Sequence, residues 1–217
     1  LRACRELDKD TMHAIAVRIY DLIQWGGLKH ARKYVKRIRR VFLTDDEQHG
    51  FKATRAVVWN LAKLMLIKDE FYVATLLTSY EKLRRDRQRY NVNPANGDRM
   101  RYRRTFHPRI FGRKTDIRIP HWSLYVIKRM RKLRKFMPFF HREDRRLLRW
   151  YVRLVDRFEY SDAATYAQYV DALRVVESVT GYAEVRWPKI DAAIFRGNQI
   201  ITAMTSTAKK KKASTAA

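Results

Sequence analysis

Cysteine is almost missing from this chain: Cys4 is the only one among 217 residues. One thiol cannot close an internal disulfide, and it supplies too few ligands for an iron–sulfur cluster or a structural zinc site. A reducing compartment is therefore expected, cytoplasmic in the simplest case. An organellar targeting segment upstream of Leu1 is compatible with the same composition. Glycine and proline are also scarce, at 7 and 5, so turns are few and elements long. No run of 18 apolar residues occurs, and no membrane span is expected. Neither a G-x-G-x-x-G fingerprint nor a phosphate loop ending in Gly-Lys-Ser/Thr is present. The six histidines, at 13, 30, 49, 107, 121 and 141, form no tight pair, so surface or capping roles suit them better than metal ligation. Carboxylates are few, and their clusters Asp45-Asp46-Glu47 and Glu143-Asp144 fall at expected helix starts. Capping and the helix dipole account for them there, without general acid–base catalysis. No catalytic residue, metal or cofactor is expected on this chain.

What is abundant is apolar and basic. Hydrophobic residues make up 46% of the chain, too many for a disordered protein. Leu, Ala, Arg and Lys with little Gly or Pro argue for an all-α fold. Lys and Arg number 48 against 22 acidic residues, a net charge of +26. Such a surface repels itself unless an anionic partner neutralises it. The excess is concentrated: from Glu81 to Arg157 there are 25 basic and 7 acidic side chains.

The spacing predicts seven or eight helices in a single domain, 1–204, followed by a disordered Lys-rich tail, 205–217. Met12, Ile15, Ile19 and Leu22 fall on one face of a helix over 10–24, which Gly26-Gly27 ends. Leu28, Ala31, Val35, Ile38 and Phe42 form the stripe of a second. Helices over 51–67 and 70–89 follow, then 121–136, 142–158 and 163–179, the last capped by Ser161-Asp162. Gly181 closes that helix and Pro188 opens a short final one. The tail holds Lys209 to Lys212 and lacks an apolar pattern.

Between these helices, residues 90–120 read as an extended, hairpin-like loop of about thirty residues, long enough to suggest function. Basic and aromatic side chains interleave in it: Arg99, Arg101, Tyr102, Arg103, Arg104, Phe106, Arg109, Phe111, Arg113 and Lys114. Arginines and lysines neutralise phosphates while aromatic rings stack on bases, so nucleic acid, RNA above all, is one partner this pattern fits. Alternatively the aromatics anchor the loop to the helices and the arginines stay solvated. The helix over 121–136 adds Lys128, Arg131, Lys132 and Lys135 to the candidate anion-binding set. Its apolar face, Trp122, Tyr125, Val126, Met130, Leu133 and Phe136, suits a membrane surface. A core-facing helix with a solvated basic face is the commoner arrangement and is the expectation here.

One stretch carries a family likeness. Trp59-Asn60-Leu61-Ala62-Lys63-Leu64-Met65-Leu66-Ile67-Lys68-Asp69-Glu70-Phe71-Tyr72-Val73-Ala74 resembles a segment of the helical C-terminal domain of indolepyruvate ferredoxin oxidoreductases. Gly181-Tyr182-Ala183-Glu184-Val185-Arg186-Trp187-Pro188-Lys189-Ile190 is similar to a second segment of that domain, with Ala183 and Glu184 where the family usually carries glycine and histidine. The likeness implies an all-α accessory part of a 2-oxoacid:ferredoxin oxidoreductase, without catalytic residues of its own. Thiamine diphosphate and iron–sulfur clusters are then expected in the partner domains. The implied partners are the catalytic subunits, and the positive surface implies attraction of acidic ferredoxin or of coenzyme A phosphates. The rival reading is an RNA-binding component of a ribonucleoprotein built on the same helical fold.

Overall fold

In the computed structural model the described residues are 6–102, 104–106, 109–110, 113–114, 117–136, 141–181 and 183–215. The fold is all-α, as composition and periodicity predict. Nine α-helices occur among the described residues. They group into two compact units: one of the residues up to Ile67 and from His141 onward, the other of residues 68–140. The second is an insertion in the sequence of the first.

The larger unit is a helical bundle. Asp8 starts α1 (Lys9–Gly26), its carboxylate accepting from Thr11 N at 2.9 Å and Thr11 Oγ1 at 2.7 Å. Gly27, at φ 77°, is the whole connection to α2 (Leu28–Thr44), a backbone that favours glycine. α3 (Lys52–Met65) lies at the centre. Only Lys52, Arg55, Trp59 and Lys63 of it are exposed, because α1, α2, α7 (Arg142–Asp156) and α8 (Ala163–Arg174) all pack against it. The expected cap at Asp162 is present: its carboxylate accepts from Thr165 N while Thr165 Oγ1 accepts from Asp162 N, a reciprocal capping box.

The last helix differs from expectation. α9 (Ala183–Thr215) begins before Pro188 and encloses it. Pro188 is the sixth residue of the helix, so it forgoes one bond to the carbonyl of Glu184 in the second turn. Met204 is partly buried against the bundle core. Among the described residues the helix is continuous to Thr215. Ala and Lys favour helix. Gly197 marks the close approach of α9 to α7: a Cβ there would sit 2.5 Å from the Trp150 ring. That indole also donates to Asn198 Oδ1 at 2.9 Å. Gly197→Ala is expected to cost about 1–3 kcal/mol by overpacking, read as a lower urea midpoint; an unchanged midpoint would mean that the indole moves aside at no cost.

In the smaller unit the expected helix over 70–89 is two, α4 (Glu70–Leu77) and α5 (Tyr80–Arg89). Thr78 Oγ1 bonds back to Ala74 O at 2.8 Å, and Ser79 Oγ accepts from Lys82 N at 3.2 Å to begin again. The hairpin-like loop contains two antiparallel pairs. β1 (Arg104–Phe106) pairs with β4 (Ile117–Ile119), and within them β2 (Arg109–Ile110) pairs with β3 (Arg113–Lys114). α6 (His121–Arg129) follows and tightens into a 3-10 segment, Met130–Phe136. No helix among the described residues is long and apolar enough to cross a membrane.

Candidate functional site

The basic insertion is held together by a small set of buried acidic groups. Asp69 caps α4, accepting from Tyr72 N at 2.8 Å. The same carboxylate takes Arg134 in a two-pronged pair, Nη2 to Oδ1 at 2.8 Å and Nε to Oδ2. Asp86 on α5 is buried and accepts from Lys82 and, at 2.7 Å, from the Tyr102 hydroxyl. The Lys82 bond comes first among the causes that hold the Asp86 carboxyl below its ordinary value. Desolvation, then the bond to Asp86, push the Tyr102 phenol up to about 12. Tyr102 lies 5.5 Å from the His121 ring, which meets Tyr125 edge-on at 5.3 Å.

This geometry sorts the candidate residues. Tyr102 is an anchor: its hydroxyl and ring are engaged with α5 and α6, so it is not offered to a base. Arg99 and Arg101 are exposed just before β1. Arg104, Phe106, Arg109, Arg113 and Lys114 fall on the paired strands, with Arg109 opposite Lys114 in register. Arg103 and Phe111 lie outside the described residues. Lys128 Nζ sits 4.6 Å above the Tyr125 ring. Arg131 and Lys132 are exposed on the 3-10 segment, which also carries Lys135.

The apolar face of 121–136 does not point into a core, contrary to expectation. Leu124 is the buried residue of α6, while Trp122, Val126, Met130, Leu133 and Phe136 are exposed. α4 takes only the Leu124 side of the helix, and the Arg134 clamp on Asp69 fixes which side that is.

The resembling stretch reads differently once its polar residues are placed. Asn60 Nδ2 donates to Leu173 O at 3.1 Å, and Lys63 Nζ donates to Val176 O at 3.1 Å and Glu177 O at 3.2 Å. These are carbonyls at the C-terminal end of α8 and the 3-10 turn after it, where cations and donors are favoured. Asn60, Lys63 and Asp69 are thus helix-end ligands. No motif rule of spacing could have assigned them, since two of the three reach acceptors more than a hundred residues away.

A second polar cluster ties α3 to α8. Asp45 and Asp46 precede α3, and Tyr160 OH donates to Asp46 Oδ2 at 2.7 Å while His49 N donates to Asp46 Oδ1 at 2.9 Å. Led by the Tyr160 bond, these donors lower the Asp46 carboxyl to about 2. A carboxyl depressed on folding contributes stability above its unfolded value near 3.8, and loses it as pH falls through the folded value. The urea midpoint is therefore expected to drop between pH 4 and pH 2 in the wild type and less steeply in Tyr160→Phe; parallel profiles would show that the Tyr160 bond does not act on Asp46.

These features define an all-α scaffold whose polar groups brace helix ends and whose insertion is cationic. Residues 11–194 match DUF6537, a family of unknown function, and the chain belongs to that family. No curated protein and no solved structure matches it. Among the described residues no group of three or more His, Cys, Asp or Glu is arranged to hold a metal ion.

Proposed function

We propose that the chain is a non-catalytic, accessory part of a 2-oxoacid:ferredoxin oxidoreductase of the indolepyruvate type. The observation that carries this reading is the use made of the Trp59–Ala74 stretch. Leu61, Ala62, Leu64 and Met65 fill the centre of the bundle, and Asn60, Lys63 and Asp69 serve helix ends. A likeness built on such residues is a likeness of scaffold, as expected of a helical domain that supports catalysis carried elsewhere. The positive insertion supports the second half of the reading, attraction of acidic ferredoxin or of coenzyme A phosphates. Thiamine diphosphate and the clusters belong to the partner domains in this scheme.

The test is a native pull-down of the tagged chain, washed at low and then moderate salt. Retention of a brown, thiamine-binding protein supports the oxidoreductase. Recovery of RNA with ribosomal proteins instead supports the ribonucleoprotein reading, which the paired basic strands β1 to β4 favour as an arm for phosphates. In the recovered complex, Arg99→Glu with Arg101→Glu is expected to slow ferredoxin reduction by roughly tenfold at low ionic strength, the difference fading as salt screens it. An unchanged rate at low salt would rule out steering by this segment.

A further inference from the structure

Five apolar side chains on the segment 121–136 are exposed. Trp122 is 69% exposed and Phe136 78%, with Val126, Met130 and Leu133 between them. The winding of the backbone aligns them. Trp122, Val126 and Met130 are spaced four apart, close to one turn of α-helix each. At Met130 the chain tightens to 3-10, in which side chains three apart eclipse, and Met130, Leu133 and Phe136 are spaced three apart. The change of winding therefore keeps Met130, Leu133 and Phe136 in line, where an α-helix would have turned each step of three back by about 60°. The opposite side of the segment is already committed, through buried Leu124 and the Arg134–Asp69 pair.

Contiguous apolar surface of this kind on a folded protein marks an interaction site. Its rim here is cationic: Arg129 and Lys132 are exposed beside the row, within a unit that holds 20 basic and 6 acidic side chains. We propose that the ridge is a protein-docking face, whose occupant is a partner surface with an apolar groove rimmed by carboxylates. On the function proposed above, on which this inference rests, that surface belongs to the catalytic part of the oxidoreductase. Charge disfavours a second copy of this chain, because two such insertions would bring their positive rims together. Shape disfavours a lipid bilayer. A row of apolar side chains along one side of the segment fits between the ridges of a helical partner, whereas an interfacial helix lays a broad apolar face on the membrane.

The test uses the full chain co-expressed with the thiamine-binding, cluster-containing catalytic part from the same source. Trp122→Ser with Phe136→Ser is compared with Met130→Glu, and thermal melts monitor folding. Both variants change exposed positions, so the melts are expected to match wild type. Capture of the catalytic part at moderate salt is expected to weaken roughly tenfold or more in each, as for the loss of an interface anchor. Undiminished capture would overturn the ridge as the docking face and leave the proposed function standing. Failure of the wild type to capture the catalytic part would overturn both. Two further readouts name the rival occupants. Sedimentation with vesicles of equal phosphatidylglycerol and phosphatidylcholine, lost in the variants while capture persists, would assign the ridge to lipid. A wild-type dimer in sedimentation velocity that the variants abolish would assign it to a second copy.

Discussion

Asp69→Ala is expected to cost the unit of residues 68–140 about 3–5 kcal/mol, the range for removing one partner of a buried ion pair. Two effects combine. The Asp69 and Arg134 side chains are only 8% and 12% exposed, so alanine would leave a guanidinium in a site that excludes water. The same substitution removes the acceptor for Tyr72 N at the start of α4, worth about 1 kcal/mol on its own. Asp69→Asn separates the two, because an amide oxygen still caps the helix while the charge is gone; it is expected to fall between wild type and alanine. Hydrogen exchange is the suitable measurement, since it reports each unit by itself. Amides of α4 and α6 should lose protection, and those of α3 should keep theirs. Arg134→Ala should produce the same pattern, and the double variant should cost less than the sum. Protection of α4 and α6 unchanged in Asp69→Ala would mean that the pair does not hold the unit together.

The same residues show how far the sequence could be read. Helices were legible wherever an apolar stripe or a capping residue repeated: Met12, Ile15 and Leu22 on α1, or Asp162 before α8. The break between α4 and α5 was not, because Thr78 and Ser79 act by returning side-chain bonds to the local backbone, a choice that helical periodicity does not encode. Pro188 read as a helix opener and lies inside one, because the helix starts five residues earlier, at Ala183. The division into two units was hidden for a different reason. The Trp59–Ala74 stretch runs across the boundary at 67/68 without any Gly, Pro or Ser-rich linker to announce it.

The candidate surface was legible by charge and illegible by role. Arginine and lysine density drew attention to residues 81–157, which overlap the insertion, and Arg99, Arg101 and Lys132 are exposed. Tyr102 looked like its neighbours in the basic-aromatic run, yet it is an anchor, and only the placement of Asp86, 16 residues earlier in the chain, distinguishes it. The exposed ridge was visible as an apolar face but was expected to point inward, because burial depends on what packs alongside. α4 covers the Leu124 side and leaves Trp122 to Phe136 uncovered, a fact about the neighbouring helix that residues 121–136 do not contain.

The bundle has its own equivalent of Asp69. Asp45→Ala is expected to lower the stability of the larger unit by about 3–5 kcal/mol, because several buried donors lose their acceptor at once and each orphaned group costs about 1–3 kcal/mol. Asp45 is 8% exposed and accepts from Thr54 N at 2.8 Å, Thr54 Oγ1 at 2.7 Å, Tyr166 OH at 2.8 Å and Asp46 N at 3.1 Å. Thr54 belongs to the first turn of α3 and Tyr166 to α8, so this carboxylate both caps the central helix and joins it to a neighbour 121 residues away in sequence. Tyr166→Phe isolates the second role and is expected to cost about 1.5–3 kcal/mol, the range for a hydrogen bond to a charged group. It also leaves Ala53 N, which donates to Tyr166 OH at 3.2 Å, without that acceptor. Urea unfolding at neutral pH would measure both variants, and a double-mutant cycle should return a coupling of about 1 kcal/mol or more between Asp45 and Tyr166. Additive costs would show that the two side chains stabilise the bundle independently, and would reduce Asp45 to a local cap of α3.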